Sequence, residues 1–244
     1  MDKGIRISVI TVCFNSEKTI SQTIESVLAQ DYQEYEYILV DGGSTDQTLE
    51  IIKAYEPKFM GRMKYISEKD NGIYDAMNKG IRMATGDLVG IVNSDDYLEP
   101  GCFQILAEHW QPDVHYQVLY GMLRFVNQEG QELEIRMSNR RNMKTQMIYH
   151  PTTYISRTIY NELFMYDLQY RYSSDLDFLL KLDQEKDVLF IPIYQVLSNF
   201  RMGGASEQSK AHGESATVLY RHGIYSKTRW FIMKCASLLE KLVK

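Results

Sequence analysis

Four apolar runs of strand length fill the first hundred residues, each followed by a polar turn and, for the first three, by residues at helical spacing. That alternation leaves little choice of architecture. Ile5 to Val12 (IRISVITV) is rich in β-branched residues and fits a buried strand, after which Ile20, Ile24, Val27 and Leu28 recur on one helical face. Tyr35 to Val40 reads as a second strand, closed by the turn Asp41-Gly42-Gly43-Ser44. Ser44 or Thr45 is placed to cap a helix carrying Leu49, Ile52 and Tyr55. Met63 to Ser67 is a third strand and Ile73 to Ala84 a helix ended by Gly86. Leu88 to Val92 is a fourth strand, ending at Asn93-Ser94-Asp95-Asp96. Strands alternating with helices imply an α/β fold with a mostly parallel sheet and helices on both faces. In such sheets ligands bind at the carboxyl ends of the strands. Those ends here carry Phe14-Asn15, Asp41 to Gly43, and Asn93 to Asp96.

The second half reads differently. Val114 to Val126 and Glu132 to Met137 flank the turn Asn127-Gln128-Glu129-Gly130, a hairpin signal. Ser174 to Lys181 reads as a short helix with Ser173 or Ser174 as cap, Val188 to Phe200 as an extended stretch, and Ser198 to Ser209 as a mobile loop. We divide the chain into a first half at 1–97, a second half at 98–210 and a helical tail at 211–244. A net charge of −5 favours no nucleic-acid partner. The charge is uneven: from Arg221 onward six Lys/Arg stand against one Glu, so the preceding residues carry −10. Three scattered cysteines (Cys13, Cys102, Cys235) and histidines without ligand spacing point to reduced thiols in a cytoplasmic protein. Neither a signal peptide nor a membrane span is read.

Three acidic constellations carry the chemistry. Adjacent Asp95 and Asp96 after a buried strand repel one another unless a cation lies near them. Mg²⁺ or Mn²⁺ fits, since such ions take one or two carboxylates plus substrate phosphates. The alternative is that one of them caps the helix near Pro100. Asp41-Gly42-Gly43 would let backbone approach a ligand closely, though D-G-G also makes ordinary turns. Asp175 and Asp177 sit near a helix start, two apart and on different faces. One could serve as a general base for a hydroxyl; ordinary surface aspartates are the competing reading. No G-x-G-x-x-G or P-loop signature occurs.

The runs Thr11-Val12-Cys13-Phe14-Asn15, Val40 to Asp46 (VDGGSTD) and Asn93-Ser94-Asp95-Asp96 resemble inverting family 2 glycosyltransferases of the GT-A fold. Ser67 to Gly80 (SEKDNGIYDAMNKG) resembles a branch common in bacterial capsule, exopolysaccharide and O-antigen pathways. The resemblance is dense over 5–100 and thinner to about 206. It implies a Rossmann-like, mostly parallel sheet with a smaller antiparallel acceptor-side portion. It also implies roles. Thr11, Phe14 and Asn15 would line the nucleotide pocket, with Asp41 and Gly42 at the base. Asp70 and Asn71 would lie beside base or ribose, Asp95 near the sugar-phosphate, and Asp96 on a Mn²⁺ or Mg²⁺ ion. The family's usual Glu-Asp pair reads Ser174-Asp175 here, so Asp175 matches the base, with Asp177 as fallback. His150 would face diphosphate or acceptor, and Gly203, Gly204 and Ser206 would belong to a loop closing over substrate.

The expected reaction moves a sugar from a nucleotide-diphosphate donor, most plausibly UDP-linked, to a saccharide acceptor of lipid-linked type. The competing reading is a non-catalytic sugar-nucleotide binder or scaffold of the same fold. A homodimer is left open. In the tail, Phe231, Cys235, Leu238, Leu239 and Leu242 recur at helical spacing, and Lys227, Lys234 and Lys241 every seven residues. With Trp230 this describes a basic helix lying on the inner face of the plasma membrane; packing on the domain is the alternative.

Overall fold

The computed structural model describes residues 4–203 and 209–242. β1 (Ile7–Cys13) and β2 (Tyr35–Asp41) are buried at every position, as befits strands covered on both faces. They are followed by β3 (Met63–Ser67), β4 (Leu88–Ile91), the short β5 (Tyr97–Leu98), β6 (Gln117–Val126), β7 (Glu132–Arg136), β8 (Thr153–Ser156) and β9 (Leu189–Arg201). The order in the sheet is β3-β2-β1-β4-β8-β6-β9-β5, with β7 paired to β6. β3, β2, β1 and β4 are parallel. β8 then enters antiparallel between β4 and β6, so the second half extends the same sheet rather than building a separate one. The hairpin forms as read: Asn127 Oδ1 accepts the amides of Glu129 and Gln131, and Gly130 takes φ +81°, a conformation glycine adopts freely. The sequence reading had not resolved β8 or β5.

Strand alternation divides the core between two faces. Ile10, Val12, Ile38 and Val40 pack beneath α3 (Ile73–Met83) and α6 (Ser174–Gln184). Ile7, Val9 and Leu39 pack beneath α1 (Ile20–Leu28) and α4 (Cys102–His109). Two glycines set how closely these layers approach. A Cβ on Gly80 would lie 2.5 Å from Ile10 Cγ2, and one on Gly90 2.1 Å from the Tyr154 ring. α2 (Thr48–Tyr55) and α5 (Arg157–Glu162) complete the flanks, and α7 (Ser209–Arg221) and α8 (Lys227–Leu242) form the tail. Cys13 and Cys102 are buried and all three cysteines are free.

The expected caps are corrected. α2 begins beyond Ser44 and Thr45, and it is Asp46 Oδ1 that accepts the Thr48 amide. At α6 Ser173 holds the N-cap position, but neither serine hydroxyl makes a cap hydrogen bond. Ser174 Oγ accepts the Asp167 amide and Ser173 Oγ pairs with Ser215 Oγ, because both hydroxyls have tertiary partners.

Candidate active site

Register places the first wall of the site. Cys13 pairs with Asp41, and Asp41 with Ser67, so three strands end level with one another. Asp41 is fully buried. Its carboxylate accepts the Ser44 amide at 3.1 Å and the hydroxyls of Ser44 and Ser67, each at 2.5 Å. It therefore shapes the loop from inside. Beyond Cys13 the chain turns sharply, with Asn15 at φ +51°, a left-handed conformation that Asn tolerates. The Asn15 amide donates to Ser44 Oγ, and its Oδ1 accepts the Thr45 amide, fastening the first loop to the second. Phe14 is left 62% exposed. Gly42 lies between that ring and Asp70: a Cβ there would come 3.4 Å from Phe14 and 2.9 Å from Asp70 Oδ2. Thr11, expected to line the pocket, is instead buried under β2, its hydroxyl accepting from Tyr37.

The strand order reverses between β1 and β4, the position where open α/β sheets form a crevice. Ser16 Oγ meets Ser94 Oγ across it at 2.8 Å. Asp96 has no exposed surface; Asn93 Nδ2 donates to its Oδ2 and the Arg201 amide to its Oδ1. Burial, then the charge of Asp95, pushes the Asp96 carboxyl up to about 8, and burial raises Asp95 as well. The Arg201 guanidinium, itself buried, bonds the Asp95 carbonyl, the Gln128 carbonyl and Gln22. Asp95 is the partly exposed member of the pair. Two adjacent carboxyls whose charged forms burial disfavours, even with Arg201 beside them, suit a divalent cation. Among the described residues no cluster of three or more His, Cys, Asp or Glu could enclose one. Asp96, the expected direct donor, is fully buried with one hydrogen bond on each oxygen, whereas Asp95 keeps exposed surface.

α3 brings the third wall. Lys79 Nζ lies 2.6 Å from Asp70 and 2.8 Å from Glu68. Burial raises the Asp70 carboxyl, against the opposing charge of Lys79. The Asn71 amide donates to Asp75 Oδ2. Asp70 to Asp75 and 168–171 enclose a cavity of about 320 Å³. From α3, Tyr74 Oη donates to Asp175 Oδ1 at 2.8 Å, bridging the halves across 101 positions of sequence. Both hydrogen bonds to Asp175, this one and the Leu176 amide, fall on Oδ1, so Oδ2 has no donor among the described residues. Asp177 has a different fate: it is buried, 2.7 Å from Lys181 and 2.8 Å from His222, and faces the tail. His150 is buried beside Tyr166, Nε2 to Oη 2.7 Å, and burial lowers its pKa despite the nearby Asp175 charge. The ring backs Tyr166.

The structure thus brings Phe14, Asn15, Gly42, Asp70, Asn71 and Asp95 to one edge, with Asp175 tied in through Tyr74 and Asp41 and Asp96 behind them. Gly203 follows β9 at φ +97°; Gly204 and Ser206 lie outside the described residues. Tyr74, Lys79 and Arg201 were missed as site residues. Only Asp75–Lys79, at helical i,i+4 spacing, left a sequence trace.

Comparison with known proteins agrees with this geometry. EpsE of Bacillus subtilis (strain 168), a glycosyltransferase by name, is 37% identical over 127 residues, which is 51% of this chain and 46% of EpsE. The chain thus spans less than half of that relative. Staphylococcus aureus TarS 1–349 in complex with UDP-GlcNAc superposes with a TM-score of 0.67 at 21% identity, covering 94% of this chain and 69% of that 1–349 chain. The mannosyltransferase PcManGT from Pyrobaculum calidifontis, in complex with GDP-Man and Mn²⁺, gives 0.64 at 17%, covering 91% and 64%. These likenesses establish the GT-A fold. The profile of glycosyl transferase family 2 matches residues 8–170, two thirds of the molecule, and the chain belongs to that family.

Proposed function

We propose that the chain transfers a sugar, with inversion at the anomeric carbon, from a nucleotide-diphosphate donor to a hydroxyl of a saccharide acceptor. The observation that supports this reading is the Tyr74–Asp175 hydrogen bond, which ties a carboxylate whose Oδ2 has no donor among the described residues to a side chain lining the cavity beside Asp70. Phe14 offers an exposed face to a base beside Gly42, and Asp70 and Asn71 the ribose side. UDP is the favoured nucleotide, supported by the TarS complex. In this reading residues 1–97 hold the donor, 98–210 the acceptor, and 211–244 form the tail. Asp95, backed by Asp96, would hold Mn²⁺ or Mg²⁺, which when bound neutralises charge on the leaving diphosphate; the Mn²⁺ complex of PcManGT supports this. Asp175 Oδ2 takes the proton of the acceptor hydroxyl as that oxygen bonds to the anomeric carbon. The bond from that carbon to the diphosphate breaks, its electron pair leaving with the diphosphate.

A lipid-linked acceptor and a role in surface polysaccharide synthesis, at the inner face of the membrane, are part of the proposal. No helix among the described residues is long and apolar enough to cross a membrane. Trp230 is not free to anchor, since it stacks on Tyr220 and donates to Thr217; exposed Phe231 and Ile232 are the residues left for a lipid surface. The test is a thermal-shift panel of UDP-, GDP- and dTDP-sugars with Mn²⁺, followed by donor turnover. A ligand at about 100 times its dissociation constant adds about 2.7 kcal/mol, a rise of roughly 5–10 °C for this size. Absence of any shift would remove the donor reading; a shift without turnover would leave the scaffold reading in place.

A further inference from the structure

A second cavity, of about 530 Å³, lies between α7, α8 and the 169–172 segment, outside the crevice described above. Its lining carries three cations, Arg171, Arg221 and Lys234, against one carboxylate, Glu214. That carboxylate is engaged: its two oxygens accept the amides of Arg171, Tyr172 and Ser173 at 2.5–2.9 Å. Asp167, near Arg221, binds both the amide and the side chain of Gln169. Arg221 Nη1 bonds Gln169 and Tyr170, whereas neither Arg171 nor Lys234 has a carboxylate at ion-pair distance among the described residues. Thr217 also lines the wall, its hydroxyl donating to the Gly213 carbonyl. A concave wall with cations that have no carboxylate partner among the described residues is what a phosphate needs, and Arg and Lys are the side chains that recognise it best.

We propose that this cavity binds a phosphate-bearing ligand, and specifically the phosphate end of the acceptor; this rests on the transfer reading above. Location supports the assignment. Gln169, Tyr170 and Arg171 line both this cavity and the one beside Asp70, so a single segment is shared by the two. Arg171 precedes Asp175 by four residues, which bounds their Cα atoms to within roughly 14 Å. An acceptor with its phosphate at Arg171 and Lys234 can therefore present a hydroxyl of an attached sugar to Asp175. A phosphate on a lipid and one on a soluble saccharide share this chemistry.

Trp230 is a built-in reporter, because its indole N–H donates to Thr217, which lines the cavity. In the full chain carrying Trp110→Phe, so that Trp230 is the sole tryptophan, inorganic pyrophosphate is titrated in EDTA while Trp230 emission is followed. Saturable quenching or shift is expected. Arg171→Gln and Lys234→Gln should each weaken it roughly tenfold, the loss of one charge-assisted contact, and Lys234→Arg should retain it. No response, or a response equal in the Gln variants with unchanged melting, overturns the proposal. A second arm uses phosphatidylcholine vesicles with and without phosphatidic acid. A Trp230 response to the former that Lys234→Gln removes marks a lipid phosphate, and a response to pyrophosphate alone a soluble one. Binding to phosphatidic acid vesicles that ignores both Gln substitutions overturns the cavity as the site. The sugar-nucleotide shift of the wild-type chain is read separately. A shift without a Trp230 response overturns the cavity alone. A Trp230 response without a shift supports the phosphate site and overturns the transfer reading.

Discussion

Asp175 and Asp177 show how differently one helix can treat two like residues. Two positions correspond to roughly 200° of helix rotation, so one faces Tyr74 and the crevice while the other faces Lys181 and His222. We expect Asp175→Asn to lower turnover by about 10²–10⁴, the usual cost of losing a general base, with donor affinity unchanged by thermal shift. Asp177→Asn should lower melting temperature and leave kcat near wild type; a dead, stable Asp177→Asn enzyme would reverse the assignment. Tyr74→Phe removes the hydroxyl that orients Asp175. It should reduce kcat roughly tenfold, the value of one hydrogen bond to a charged group, with acceptor KM little changed. Sequence alone named Asp175 through its resemblance, but Tyr74 lay hidden, since nothing in a single chain links positions 101 residues apart.

At the scale of elements, small residues and buried charges decide how layers meet. Gly80→Ala would push a methyl against Ile10 Cγ2, and overpacking of this kind costs about 1–3 kcal/mol. Urea denaturation should show it as a lower midpoint with unchanged slope. In β2, Glu36 is buried, which alone would raise its pKa. Hydrogen bonds from Ser8, Thr85 and Lys64 outweigh that and hold it at about 2. Because the folded value is depressed, its contribution is present above the unfolded value of about 4.3 and is lost as pH falls toward 2. The wild type should therefore lose stability over that window, and Glu36→Gln should be less stable at neutral pH with a flatter acid limb. Strands and helices were readable because burial on both faces demands apolar runs. The side-chain caps were not, because the hydroxyls of Ser173, Ser174 and Ser44 are held by Ser215, Asp167 and Asn15, partners that local propensity does not foresee.

At the scale of the whole molecule, the crevice joins residues from both halves, and Arg201 from β9 closes it against Asp95 and Asp96. EDTA should abolish transfer and Mn²⁺ restore it. Asp95→Asn should weaken donor binding while the fold survives; undiminished Mn²⁺-dependent transfer in that variant would sink the metal assignment. For the tail, replacing Phe231 and Ile232 together by Ser should weaken sedimentation with anionic vesicles, and raising salt should weaken it further, because exposed charges are screened beyond about 8 Å at physiological ionic strength. Equal pelleting would place the tail's role elsewhere. The alternation of strand and helix, the polar strand ends and the motif residues were determined by the sequence itself, since each follows from local periodicity or a contiguous run. Tertiary structure alone decided which carboxylates remain open. Asp41 and Asp96 are buried and each accepts from a distant strand, Asp95 and Asp175 keep exposed surface, and Arg171 and Lys234 come to share one cavity from segments more than sixty residues apart. Burial and pairing depend on what the fold packs against each group, and no single position in the chain carries that information.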